Sequence, residues 1–220
     1  MRRKPNAEER RRDLCDAAIE LLAEDGARGL THLRVDRRAG VADGTTSFYF
    51  QTRSALLRGA TDRVVQLDVA DFTGAMNKAM NEAKLARGDK TESLLSQLAE
   101  QAMRTAVEPE RSRARARFEL LMVAARDAEL SAVFGSLMDQ FVAISEEAVA
   151  QLQPAGRPPD RELIREQASA VVTFLGGFLF QLANGLARLE TAKQLEGYLH
   201  AVITGVEAEH PRIRRAGRLR

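Results

Sequence analysis

A single cysteine, Cys15, stands in the 220 residues, so no disulfide can close within the chain, and sparse cysteine fits a reducing compartment. No stretch of about 18 uncharged apolar residues occurs, which argues against a membrane span. The basic start MRRKPNAEERRR is not followed by an apolar segment, so it does not read as a secretory signal. These absences together predict a cytoplasmic protein. Strict polar–apolar alternation is missing, and with it the pattern of a half-buried strand. Also missing are G-x-S-x-G, HExxH, a phosphate loop and CxxC. The histidines His32, His200 and His210 are scattered. The sequence therefore predicts no enzyme, no metal and no cofactor. There is no internal repeat.

What is present is helical periodicity in a chain that is 45% apolar and 29% charged, ordinary values for a globular core. Charge is unevenly spread. Residues 1–60 carry 12 Lys/Arg against 9 Asp/Glu, residues 61–209 carry 16 against 22, and residues 210–220 carry 5 against none. A basic head on an acidic body suits a head that meets a polyanion; solvated basic tails are the plainer reading. Leu14, Ala18, Leu21 and Leu22 form one stripe of a first helix over 7–25, stopped by Gly26 and Gly29. Thr31 can cap a helix over 32–39, Asp43 a short one over 44–50, and Thr52 a long one running past Met76 and Met80 toward Gly88. Further helices are expected at 91–106, 109–125, 128–152, 160–188 and 192–208. QPAGRPPD (153–160) reads as a loop and 210–220 as a basic, mobile tail.

Residues 31–50 carry the functional signal. Two short helices joined by a turn at Gly40, backed by a third helix, are a helix-turn-helix layout. In such a unit the second short helix enters the major groove of DNA. Here it spans about 43–49. The hydroxyls of Thr45 and Ser47 suit phosphate or base edges, an aromatic ring can pack on a sugar or a thymine methyl, and Arg53 is placed to meet the flanking strand. The arm RRKPNAEERRR could lie along phosphates or in a neighbouring groove.

AAIELLAEDGARGLT, AGV, Gly44-Thr45, Tyr49-Phe50 and SALL at 54–57 together resemble the N-terminal domain of the TetR family of bacterial transcriptional regulators. The family pattern, roughly AGVSxGTLYxYFxSKxxLL, fits from Gly40 to Leu57 without a gap. The chain departs from it at Ala42, Thr46, Ser47 and Arg53, and at His32-Leu33. The resemblance implies an all-α fold: an N-terminal three-helix DNA-binding domain (1–52) and a larger helical regulatory and dimerisation domain (53–209), followed by the tail. Carried over by position, Thr31, Thr45, Tyr49 and Arg53 are expected on phosphates. Leu33, Asp43, Gly44, Ser47 and Phe48 are expected on base edges, with Arg34 a weaker candidate and Phe50 in the core.

The resemblance also implies a homodimer on a palindromic operator, paired through the last two long helices. Val171, Leu175, Leu179, Leu182, Leu195, Tyr198, Leu199, Val202 and Ile203 are the expected interface. Gly176 and Gly177, costly inside a helix, suit close helix approach or room for a ligand. A small, largely apolar effector, not identified by the sequence, is expected among Phe72, Met76, Met103, Phe118, Met122, Phe141, Phe174 and Phe178. Arg111, Arg113, Arg115 and Arg117 read as a solvated surface; Arg117 or Gln181, if inward, could hold a polar end of the ligand. The rival reading is a helical dimer that binds a protein partner, with a degenerate DNA head and no effector.

Overall fold

In a computed structural model of the chain, residues 6–85, 90–151 and 160–217 are described, and every regular element among them is helical. In order these are α1 (Ala7–Gly29), α2 (His32–Arg38), α3 (Thr45–Tyr49), α4 (Arg53–Leu85), α5 (Lys90–Met103), a 3₁₀ turn (Arg104–Ala106), α6 (Glu110–Ala124), α7 (Ala128–Ala150), α8 (Arg161–Ala183) and α9 (Ala192–Gly217). Residues 153–159 of the loop expected at 153–160 and the start of the N-terminal arm lie outside the described residues.

Local chemistry sets most of the ends. Asn6 and Glu9 form a reciprocal capping box at the start of α1, each side chain accepting from the other residue's backbone N–H at 2.8 Å, which satisfies two otherwise orphaned donors. Arg10, Arg11 and Arg12 thus lie on the helix and not in a free arm. Gly26, at φ +66°, breaks α1 where expected. Thr31 caps α2 by accepting from Arg34 N at 3.3 Å, and Thr52 accepts from Ala55 N at 3.0 Å at the head of α4. At the far end, α8 stops at Ala183, short of the expected 188, because Gly185 turns the chain at φ +70°. In contrast, α9 overruns its expected end at 208 and continues to Gly217.

Two compact units result: Met1–Asp68 with Val107–Leu137, and Val69–Ala106 with Met138–Arg220. The first unit packs α1 on α2 and α6. Leu14, Leu22, Leu30, Val35, Phe50 and Leu56 fill its core at 2% exposure or less. In it, Asp68 is buried between Arg113 (Nε, 3.1 Å) and Arg117 (Nη1, 2.7 Å). The arginines of α6 are therefore not all a solvated surface. Arg113 and Arg117, one turn apart, converge on an acid far away in sequence. Arg117 is not free to meet a ligand.

In the second unit α9 packs on α5 and α8. Met76, Leu95, Ala99, Val171, Leu175, Phe178, Leu195 and Leu199 are among its buried side chains. Among the described residues only α8 is long and apolar enough to cross a membrane by length and composition. Asp160, Arg161, Glu162, Arg165 and Glu166 occupy its first turns, and its apolar stripe is spent on this core.

Candidate nucleic-acid interface

α3 is five residues long, too short to hold a helical conformation alone. Its N-cap is Gly44, at φ +90° and with no side chain to offer. Asp43 does not cap α3 as expected. The cap comes from α2: the carboxylate of Asp36, 1% exposed, accepts from Gly44 N at 2.8 Å, Thr46 N at 2.7 Å and Thr46 Oγ1 at 2.5 Å. Thr46 is fully buried in consequence. The other end is also held. His32 Nε2 lies 2.7 Å from the Phe50 carbonyl, so this ring nitrogen carries the donated proton. Arg11 Nη1 donates to the Tyr49 carbonyl at 3.0 Å.

With α3 so fixed, the side chains expected on DNA distribute as follows. Phe48 is 79% exposed and Leu33 42%, two large apolar groups turned to water on neighbouring short helices. Thr31, Asp43, Gly44 and Ser47 are exposed, Thr45 and Tyr49 half-buried. Thr45 Oγ1 donates to the Ala42 carbonyl at 2.6 Å, and the rings of Phe48 and Tyr49 meet edge-on with centroids 5.2 Å apart. Phe50 is core, as expected, at 2% exposure. Arg34 is taken up by Asp25 and the Gly29 carbonyl. Arg53 donates to the Ala27 carbonyl, closing the end of α1.

Ion pairing continues on the flank of α2. Arg38 reaches Glu20 at 3.1 Å and Glu24 at 2.5 Å, and its hydrogen bond holds the Glu24 carboxyl below the ordinary range. Behind the site, burial pushes the Cys15 thiol up to about 12, which fits an inert small hydrophobe.

Asp36, Arg11 and His32 were not singled out by sequence as supports of α3. Asp36 carried one signal: it stands next to Val35 and three residues before Ala39, on the inward side of α2. Nothing local marks Arg11.

The expected effector residues do not form one set. Phe72, Met76, Met103, Phe141, Phe174 and Phe178 belong to the second unit, Phe118 and Met122 to the first. The rings of Phe72 and Phe141 are 5.0 Å apart. Met76 and Phe178 are buried, with Phe72, Met103 and Phe174 packed against the same core. Phe118 lies 5.1 Å from the Arg117 guanidinium. Met122 is 63% exposed, on an open groove of about 450 Å³ beside Gly26 and Glu119. Gln181 is exposed.

The residues expected at a dimer interface divide between the core and the surface of the second unit. Val171, Leu175, Leu195, Leu199 and Ile203 are each 8% exposed or less, inside the second unit's own core. Surface already buried within the chain cannot be buried again between chains. The outer faces of α8 and α9 instead show Phe180 (47%) and Tyr198 (53%), with Leu179, Leu182 and Val202 half-buried. Tyr198 stacks on Phe174 at 6.2 Å. A Cβ placed on Gly176, Gly177 or Gly197 would meet open space.

Known proteins agree with this architecture. Residues 14–60 match the family described as bacterial regulatory proteins, tetR family. Residues 89–205, more than half the chain, match the Tetracyclin repressor-like C-terminal domain. No curated relative matches the sequence. Among solved structures, a TetR-family regulator from Mesorhizobium loti superposes with a TM-score of 0.69 at 12% identity, over 93% of this chain and 98% of that one. A transcriptional regulator from Saccharomonospora viridis in complex with choline gives 0.67 at 18%, over 90% and 96%. The multidrug binding protein EbrR complexed with ethidium gives 0.59 at 21%, over 90% and 99%. At such identities the likeness is one of fold. The two family matches, covering both the helix-turn-helix and the helical body, place the chain in the TetR family of bacterial regulatory proteins.

Proposed function

We propose that this protein is a transcriptional repressor that binds a palindromic operator as a homodimer and is released by a small, largely apolar effector. The observation that carries the DNA reading is the exposure of Phe48, Ser47 and Leu33 on short helices whose junction is held by Asp36, His32 and Arg11. Large apolar side chains in water on a fixed mount suit a groove lined by thymine methyls. Residues 1–52 supply this head. Thr31 and Tyr49 take phosphates, and Thr45 joins them when its hydroxyl turns from the Ala42 carbonyl; Asp43 and Gly44 approach base edges with Leu33, Ser47 and Phe48. Arg53 and Arg34 act from positions already bonded within the head, so they reinforce the field more than they reach out.

Dimerisation runs through the outer faces of α8 and α9, around Phe180 and Tyr198, where the glycines let a partner helix approach closely. The effector is taken by the second unit, where Phe72, Phe141, Phe174 and Phe178 supply rings. The solved relatives that bind ethidium and choline, both organic cations, support this reading, since aromatic faces attract such ions.

The test is fluorescence anisotropy of the full chain on DNA flanking its own gene, with excess competitor and across a salt series. Non-specific binding is almost wholly electrostatic and weakens with salt on every sequence alike. A fragment that survives competition and contains an inverted repeat supports the proposal. Equal binding to all fragments, with no palindrome recovered from a genome-wide pull-down, refutes it.

A further inference from the structure

We propose that Arg11 is a positioning residue for DNA recognition: it sets the angle at which α3 presents its side chains and does not itself neutralise a phosphate. The inference rests on the DNA-reading function above. Two contacts immobilise its guanidinium. Nη1 donates to the Tyr49 carbonyl at 3.0 Å, and Cζ lies over the Phe50 ring, 4.5 Å from the centroid. The Tyr49 carbonyl is an orphan acceptor at the negative end of α3, where a cation is favoured. The ring beneath is wedged in turn: a Cβ on Gly59 would come within 2.5 Å of Phe50 Cε1. Arg11 therefore ties the last turn of α3 to α1, while Asp36 and His32 tie its two ends to α2. A five-residue helix has no stiffness of its own to resist rotation once one tie is cut. Ser47 and Phe48 immediately precede the bonded carbonyl, so a small rotation of α3 displaces the base-reading side chains first. Thr31, a phosphate contact outside α3, is left in place, and the contacts α3 itself offers to phosphate, Thr45 and Tyr49, are uncharged.

Positioning and phosphate contact separate by salt dependence. The full-length wild type is first used to select a duplex from a randomised 30-bp library; affinity is then measured on that duplex and on a scrambled one of the same composition, from low to moderate salt. Arg11→Ala is expected to weaken the selected duplex about tenfold, the scale of one charge-assisted hydrogen bond. The scrambled duplex should lose much less, and the slope of log affinity against log salt should not change. Arg11→Lys, which keeps the charge but not the fork that bonds Tyr49 while covering the Phe50 ring, should lose most of the same discrimination. Arg12→Ala, the neighbouring exposed arginine, controls for charge, and a melting curve shows that each variant is folded. A slope reduced by about 0.9 on both duplexes, with full rescue by Lys, would make Arg11 a phosphate contact and overturn the proposal. So would a selected-duplex affinity unaffected by Arg11→Ala. A wild type that selects no duplex removes the DNA-reading function itself, and the positioning role falls with it; that failure shows before any variant is measured.

Discussion

Replacing Asp36 by Ala removes the cap of α3 from outside α3. The carboxylate is 1% exposed and accepts three bonds. Of the donors, Thr46 N and Thr46 Oγ1 are buried and would be left without an acceptor, whereas Gly44 is exposed and its N–H can turn to water. Stranding a buried donor costs about 1–3 kcal/mol. Two such donors, with a small term for the third, give roughly 3–5 kcal/mol. Asp36→Asn should fall between, because one oxygen survives but the amide nitrogen confronts one of the donors; about 1–3 kcal/mol is expected. A single unfolding free energy is a poor measure for a chain with two compact units, so the local readout is hydrogen exchange at Gly44 and Thr46. A loss of 3 kcal/mol corresponds to roughly a hundredfold loss of protection at Thr46, with little change at Leu22 or Leu199. Protection at Thr46 that is the same in wild type and Asp36→Ala would refute the capping argument, and so would an Asn variant worse than Ala.

Gly59→Ala should lower the melting temperature. Its Cβ would stand 2.5 Å from the Phe50 ring, and overpacking by about 1–3 kcal/mol outweighs a helix-propensity gain below about 1. In the same helix Gly74→Ala, with nothing within 4 Å, should raise it slightly. Asp68→Ala removes the carboxylate on which two largely buried guanidiniums converge and should cost about 3–5 kcal/mol. Asp62→Ala, which breaks an exposed pair with Arg58, should cost less than about 1; hydrogen exchange at the amides of α4 and α6 compares the two. Cys15, held protonated up to about 12 by burial, should react with a maleimide at pH 8 only at the rate of local unfolding. Since the folded pKa lies above the unfolded one, its contribution to stability is complete below about 9 and declines as pH rises toward 12. Tyr198→Glu should shift the sedimentation coefficient toward the monomer if the outer face of α8 and α9 is the homodimer surface; an unchanged value would exclude that face.

The helix plan was legible because its signals are local. Thr31 and Thr52 cap the helices they precede, and Gly26 ends α1, since each choice depends on the few backbone groups beside it. The head's spacing from Gly40 to Leu57 was legible for the same reason, and so was Phe50 as core; that Gly44, at positive φ, and not Asp43 stands at the N-cap of α3 was not. The body was legible only in its periodicity. The stripe Leu195, Leu199, Ile203 was recognisable as buried. Which surface buries it, a neighbouring helix of the same chain or of another, leaves no mark on the stripe itself.

By itself, then, the sequence determined an all-helical chain, the order of its elements and a helix-turn-helix at its start, because hydrophobic period, capping residues and glycine positions act over a turn or two. Only the tertiary structure decided what closes α3, which arginines are buried and which apolar face stays in water. Asp36 reaches residues eight and ten positions on, Arg11 reaches Tyr49, and Asp68 gathers Arg113 and Arg117. Each is a contact between groups distant along the chain, and such contacts are fixed by packing, not by local propensity.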